Sequence, residues 1–216
     1  MKSAIPFYSV LAASFILAGC KTHGDIVVDE GVGITAVRGS CPSVGIPDYT
    51  GDITLFTAPG ATDAASIDVT AAMTNLRAAC NSENNKVTSQ VSFDVLARRS
   101  DVRGARQVVL PFFISVIRGG NAVIAKRTST VTINFADGQA RAQGHGTGVG
   151  YIDKAEATLS NDIRKRITRK RKAGDSDAAN DPLTEPDVRS AVARATFDVL
   201  AGFQLTDAQV QYNATR

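Results

Sequence analysis

Few residues in this sequence belong to the types that perform covalent or metal chemistry. The 216 residues include three cysteines, Cys20, Cys41 and Cys80, and two histidines, His23 and His145. No C-x-x-C spacing marks a redox or metal site, and no G-x-S-x-G motif presents a serine nucleophile. His145 could act as a general base, but no motif identifies a serine or cysteine partner, so we assign it no role. We predict no catalytic, cofactor-binding or metal-ligating residue.

Cys20 ends an apolar segment near the amino terminus. Lys2 precedes residues 5–19, which carry no charge, and this order is typical of a secretory signal. The run is shorter than the about 20 residues that a transmembrane helix needs, and Pro6 interrupts its start. We therefore predict a signal peptide over residues 1–19, with a permanent signal anchor as the alternative.

The residues around the predicted cleavage point resemble the lipobox of bacterial lipoproteins. They read Leu17-Ala18-Gly19-Cys20, a branched apolar residue, two small residues and a cysteine. The resemblance implies a diacylglycerol on the Cys20 thiol, and several acyl chains suffice for stable anchoring. Lys21 follows, where aspartate marks inner-membrane retention in enteric bacteria. The resemblance therefore favours the periplasmic face of the outer membrane.

Two further cysteines, Cys41 and Cys80, remain in the exported chain. An even pair in an oxidising compartment predicts a disulfide, which would stabilise the fold by roughly 4 kcal/mol in the chain-entropy model. A catalytic or metal-binding thiol is the alternative, without a supporting motif. Residues 20–40, which include His23, are rich in glycine and charge and predict a tether. Residues 41–216 then form one main domain.

Positive charge is concentrated in the stretch IRKRITRKRK, residues 163–172. The chain has 24 Lys and Arg against 21 Asp and Glu; setting aside Lys2 and the seven basic residues of this stretch leaves 16 basic residues. The basic character is therefore local. The basic run, as we name it, consists of Arg164, Lys165, Arg166, Arg169, Lys170, Arg171 and Lys172.

Three interpretations of the basic run differ in the partner that they imply. Nucleic acid is disfavoured, because export removes it and no aromatic residue is interleaved to stack bases. Anionic envelope phosphates, of lipopolysaccharide or phospholipid, would attract each basic residue by about 1 kcal/mol. Internal pairing would instead leave only a solvated charged surface. The acidic residues available for it are Asp175, Asp177, Asp181, Glu185 and Asp187.

Alternating apolar and polar residues predict strands in the first part of the domain. The alternation is clear over residues 67–73 and 87–97, with a polar turn at residues 81–86 between them. Residues 108–117, VVLPFFISVI, are apolar on both faces and predict a central strand. Pro111 cannot donate a ladder hydrogen bond, so a bulge or an edge stretch is expected there.

The second part of the domain mixes turns, strands and helices. Gly119-Gly120-Asn121 predicts a hairpin turn into a return strand over residues 122–135. The glycine-rich residues 144–150 match no phosphate-loop spacing and predict a flexible hinge. Apolar residues recur every fourth position to Ile167 and predict an amphipathic helix, whose end is the basic stretch of residues 163–172. It is expected to begin at Asp153, which can cap it, with Glu156 at the capping-box position.

The carboxyl-terminal segment predicts a return to the sheet. Every odd position from 191 to 205 is apolar, which favours a closing strand, although residues 188–195 are equally compatible with a helical turn. Thr206 and Gln209 match a capping box before a short final helix. The predicted fold is a mainly β, antiparallel immunoglobulin-like β-sandwich with a helical insertion over about residues 153–190 before the last strand.

The combination of these features resembles a family of proteobacterial envelope lipoproteins. The lipobox, Cys41-Pro42, the LPFFISVI segment around Pro111, the closing VLAGFQLT and Tyr212-Asn213 carry the resemblance. It implies location and fold and supplies no catalytic residue. We therefore expect a membrane-anchored protein with a binding or scaffolding role in the cell envelope, without a cofactor. A hydrolase acting on envelope material is the competing hypothesis, and a small-ligand carrier is a third.

Overall fold

The computed structural model describes residues 41–172 and 174–215, which form two sheets packed face to face. The strands are β1 (Ser43–Gly45), β2 (Asp52–Phe56), β3 (Ile67–Glu83), β4 (Lys86–Arg99), β5 (Arg106–Arg118), β6 (Ala122–Phe135), β7 (Arg141–Asp153) and β8 (Phe197–Phe203). The helices are α1 (Asn161–Thr168), α2 (Pro186–Ala195) and α3 (Asp207–Thr215), with short 3-10 helices at Ala64–Ser66 and Pro182–Thr184. The predictions for Cys20 and for the signal and tether lie outside the described residues.

Sheet A contains the strands in the order β1, β8, β5, β6, and sheet B contains β2, β3, β4, β7. Neighbouring strands are antiparallel except β1 and β8, which are parallel. The inward side chains of both sheets form one apolar core. The predicted mainly β sandwich, with helix before the last strand and a short helix at the carboxyl terminus, is confirmed.

The hairpin of β3 and β4 follows the predicted alternation. Val69 on β3 and Phe93 on β4 are buried, while the residues between the inward positions are more exposed. The strands continue to Glu83 and Lys86, so the turn is confined to Asn84 and Asn85. Both asparagines have positive φ, 47° and 64°, which suits a tight two-residue hairpin turn.

The strand β5 is central along only part of its length. Residues 112–118 pair with β8 on one side and with β6 on the other, and residues 112–116 are buried on both faces. Pro111 pairs with Thr130 of β6, and β8 ends before reaching it. The carbonyl of Pro111 instead accepts a hydrogen bond from the Gln204 amide at 2.9 Å. The expected edge stretch at Pro111 is confirmed.

The prediction of a flexible hinge at residues 144–150 is wrong, because these residues form the middle of β7. Gly144, Gly146, Gly148 and Gly150 alternate along the strand and face the interior. A Cβ atom on Gly144 would lie 2.6 Å from Ile133 Cδ1 and 2.8 Å from the Thr132 carbonyl oxygen of β6. At Gly148 it would collide with Ile114 of β5. The missing side chains therefore let sheet A approach β7 closely.

The helix predicted from Asp153 begins later, at Asn161. Asp153 is the last residue of β7 and pairs with Lys86, so its backbone belongs to the sheet. Glu156 forms an ion pair with Arg118 instead of closing a capping box. Ser160 is the cap, and its hydroxyl accepts a hydrogen bond from the Ile163 amide at 3.4 Å.

A small second core joins the two helices of the insertion. Ile163 and Ile167 of α1 are buried against Val188 and Val192 of α2. The alternation from 191 to 205 is divided between two elements, since α2 ends at Ala195 and β8 begins at Phe197. The predicted capping box is confirmed, because the Thr206 amide donates to Gln209 Oε1 at 2.9 Å and the Gln209 amide donates to Thr206 Oγ1 at 3.3 Å.

Arg99, the last residue of β4, is a buried cation with only 1% of its surface exposed. Its guanidinium donates to four backbone carbonyls at 2.8 to 2.9 Å and lies over the Phe135 ring at 5.2 Å. The acceptors are the carbonyls of Val102, Gly104, Ala136 and Gln139. One side chain thus holds the loop before β5 against the loop after β6.

Gly144→Ala should lower the free energy of unfolding by about 1–3 kcal/mol, because the added methyl meets a backbone oxygen that cannot rotate away. Gly45→Ala is the matched control, since its Cβ would lie 3.6 Å from Leu200 Cδ2, an ordinary contact. Both changes restrict the unfolded chain equally. Urea denaturation with the disulfide intact measures the difference, and equal stabilities would contradict the close approach of the sheets.

Arg99→Gln should cost about 3 kcal/mol or more, because buried carbonyls lose their donor. Arg98→Gln removes the same charge from the neighbouring, exposed position, where no ion pair to a described residue is lost. It should leave stability unchanged or raise it. The same denaturation measurement tests both variants, and a mild effect at Arg99 would show that its hydrogen bonds are dispensable.

Candidate functional site

The predicted disulfide between Cys41 and Cys80 is present. Cys41 lies just before β1 of sheet A, and Cys80 lies on β3 of sheet B. The bond therefore connects the two sheets and closes a loop between residues 39 positions apart. Its role is structural, since such a crosslink restricts the unfolded chain.

The seven residues of the basic run do not share one helix. Arg164, Lys165 and Arg166 belong to α1, which ends at Thr168. The other four follow in a segment without regular helix, where Arg171 is buried and its neighbours Lys170 and Lys172 are exposed. The prediction of one continuous basic helix through residue 172 is therefore wrong, because Arg169 adopts extended backbone at the helix end.

Three arginines of the basic run pair with acidic residues of the insertion. Arg166 contacts both Glu185 and Asp187, with 2.6 Å between Nη1 and Asp187 Oδ2. Arg169 Nη2 lies 2.6 Å from Asp177 Oδ1. Arg171 Nε lies 3.5 Å from Asp177 Oδ2. The contacts of Arg166 cross the 3-10 helix Pro182–Thr184 and join α1 to the start of α2, whereas those of Arg169 and Arg171 hold the segment around Asp177. Internal pairing therefore accounts for part of the run.

Three other members carry charge without a carboxylate partner among the described residues. The Arg164 guanidinium contacts Asn161, which is neutral. Lys165 and Lys172 are exposed, and neither forms an ion pair with a described residue. Asp181, expected among the acidic partners, instead accepts a hydrogen bond from the Leu183 amide at 2.9 Å and caps the 3-10 helix. We call Arg164, Lys165 and Lys172 the unpaired basic residues.

The outer face of sheet B holds a second group of polar residues that sequence reasoning missed. Arg98 of β4 and Arg141 of β7 are directly opposite each other in the strand register. They line an open depression of about 710 Å³ that also contains Leu96, Gln143 and Thr70. The outward position of Arg98 in an alternating strand was readable, but its pairing with Arg141 depends on register.

His145 has a carboxylate partner on the same face of sheet B. Its Nδ1 lies 3.0 Å from Asp94 Oδ1, and Asn75 Nδ2 donates to Asp94 Oδ2 at 2.7 Å. Asn75 occupies an irregularity of β3 with a positive φ of 53°. The hydrogen bond with His145, then that with Asn75, lowers the pKa of Asp94. No hydroxyl or thiol of a described residue contacts the imidazole, so a nucleophile is not in place.

No group of three or more histidine, cysteine or acidic side chains within residues 41–172 and 174–215 is arranged to hold a metal ion. Over the same residues, no helix is long and apolar enough to cross a bilayer. No known family model, curated protein or solved structure matches this chain. Functional inference therefore depends on the geometry of these surfaces.

Arg166→Gln should raise the titration midpoint of Asp187, since the hydrogen bond from Arg166 is the largest cause of its lowered pKa. In the native protein the ionised Asp187 stabilises the fold at pH values above its ordinary pKa of 3.8. This stabilisation is lost as the pH falls through the lowered pKa of the folded state. Carboxyl-carbon NMR during an acid titration measures the midpoint. Arg164→Gln is the control, because Arg164 contacts no carboxylate of a described residue, and it should leave the midpoint unchanged.

Proposed function

We propose that this chain is a membrane-anchored lipoprotein of the bacterial envelope whose folded domain binds an anionic envelope component. The lipobox-like Leu17-Ala18-Gly19-Cys20 supports the anchor, with lipid on Cys20. The Cys41–Cys80 disulfide supports export, because such bonds persist in oxidising compartments. We place the protein on the periplasmic face of the outer membrane, and nucleic acid is not among its proposed partners.

The observation that carries the binding role is the excess of charge in the basic run after its internal pairs are formed. Arg166, Arg169 and Arg171 order the segment through their carboxylate partners. Arg164, Lys165 and Lys172 then remain as exposed cations of the helical insertion. An ordered cationic surface loses less conformational entropy on binding than a mobile basic tail would.

Phosphate groups are the ligands that this surface favours. Each basic residue near an anionic membrane surface contributes about 1 kcal/mol, and the attraction falls off within a Debye length. The unpaired basic residues would therefore supply a modest, salt-sensitive affinity that adds to the lipid anchor. Lipopolysaccharide and phospholipid headgroups both offer this chemistry, and the domain would act as a binding or scaffolding module beside the membrane.

The competing hypothesis of an envelope hydrolase is supported by one arrangement, the Asp94–His145 pair. Asp94 orients the imidazole as the carboxylate of a catalytic triad does. A triad also needs a nucleophile within hydrogen-bond reach of the imidazole. None of the described residues supplies it, so the geometry favours binding over hydrolysis.

The test uses a soluble form in which Cys20 is replaced by alanine behind an ordinary cleavable signal, so that lipid cannot anchor the chain. Arg164→Gln, Lys165→Gln and Lys172→Gln are combined in one variant. It should bind phosphatidylglycerol vesicles at least about tenfold more weakly than the parent, as three lost charges require. Co-sedimentation at low and at raised salt measures the affinity.

A control variant that loses the same charge distinguishes binding by the unpaired basic residues from attraction that depends only on the net charge of the protein. It combines Lys86→Gln, Lys126→Gln and Lys154→Gln, which lie outside the basic run. This variant should bind nearly as well as the parent, and phosphatidylcholine vesicles should bind neither. Equal weakening by both triple variants, or no weakening by the first, would contradict the proposed surface.

A further inference from the structure

Two exposed arginines occupy directly opposed positions on the outer face of sheet B. Arg98 and Arg141 are cross-strand partners on β4 and β7, and such partners have Cβ atoms about 5 Å apart. Both residues are exposed, and neither forms an ion pair or hydrogen bond through its side chain with a described residue. Like charges at opposed positions destabilise a sheet, so the arginine pair lowers the stability of the fold unless an anion binds between the two side chains.

The nearest carboxylates do not neutralise the pair. Asp68 lies on β3 two residues from Thr70, the register partner of Arg98, and its carboxylate is bound by Arg106 at 2.6 Å. Asp52 lines the same depression on β2, two strands and one row away from Arg98, about 12 Å at the usual spacings. Asp94 lies four residues along β4, about 13 Å away, and is engaged by His145 and Asn75. This face therefore carries carboxylates, but neither arginine forms an ion pair with any of them.

The surroundings of the arginine pair form a site with a polar end and an apolar floor. The register aligns Thr54, Thr70, Arg98 and Arg141 in one row across the four strands. The next row contains Asp52, Ala72, Leu96 and Gln143, with the Asp52 carboxylate at the β2 end, away from the arginines. Leu96 is 52% exposed, an unusual fraction for a leucine within a sheet. The depression over these two rows, about 710 Å³, has the volume of a small-molecule site.

We propose that this depression binds a small organic oxyanion, a carboxylate or phosphate monoester that carries a short apolar chain. The planar forks of Arg98 and Arg141 would bind the oxygen atoms, because guanidinium groups match carboxylate and phosphate geometry with paired hydrogen bonds. The apolar chain would lie along Leu96 and Ala72, about 7 Å from the arginine row. This site shares no residue with the basic run and does not depend on the anchor.

Calorimetric titration of the soluble full chain tests the proposal with three probes, hexyl phosphate, hexanoate and inorganic phosphate. Hexyl phosphate or hexanoate should bind at one site, and the stronger of the two identifies the head group. Arg98→Gln or Arg141→Gln should weaken that binding about tenfold or more. Leu96→Ala should weaken the hexyl compounds severalfold and leave inorganic phosphate unchanged.

Arg189→Gln is the matched control, because Arg189 is an exposed arginine on α2 whose side chain pairs with no described residue. The affinity of the Arg189→Gln variant for each probe should equal that of the parent protein. The absence of saturable binding by either hexyl compound would overturn the proposal. So would equal affinities of the Arg98, Arg141 and Arg189 variants, which would indicate general charge attraction. Neither result would affect vesicle binding by the unpaired basic residues, which is measured separately.

Discussion

The close contact between the glycine face of β7 and sheet A is the constraint on which the sandwich depends. Gly144, Gly148 and Gly150 admit side chains of β6, β5 and β8 into the space that their own side chains would fill. Gly146 leaves room for the Phe93 ring, which meets Phe112 of the other sheet edge to face at 4.9 Å. The two sheets therefore share one continuous core, and the positions of both outer faces follow from it.

The sequence predicted correctly those elements whose residue types directly indicate which positions are buried or cap a helix. The alternation of β3, β4 and β6 and the capping box at Thr206 were readable, because each depends on local residue types. β7 was missed because four of its inward residues are glycines, which carry no hydrophobic signal. The helix start was predicted too early, at Asp153, because distant residues bind the two residues that would cap it. Asp153 pairs with Lys86 in the sheet, and Glu156 forms an ion pair with Arg118.

The candidate site was partly hidden for the same reason. Asp94 and His145 are 51 residues apart, and the register of β4 with β7 brings them together, as it does Arg98 and Arg141. Within the basic run, residues of the same type differ in role: Arg171 is buried beside Asp177, whereas Arg164 has no carboxylate partner in the part of the chain that the structure describes. Composition predicts that such a cluster exists. Only the tertiary contacts show which of its residues stabilise the fold and which remain available to bind a partner.

The loops around Arg99 and the helical insertion should respond differently to acid, because Arg99 is bound by four carbonyl oxygens and the insertion contains ion pairs. A carbonyl oxygen does not titrate in the range that carboxylates do, so acid leaves these acceptors unchanged. The helical insertion combines its small apolar core with the ion pair of Arg166 and Asp187, and this carboxylate loses its charge in acid. Acidification would therefore loosen the insertion first, while the loops around Arg99 kept the sandwich closed.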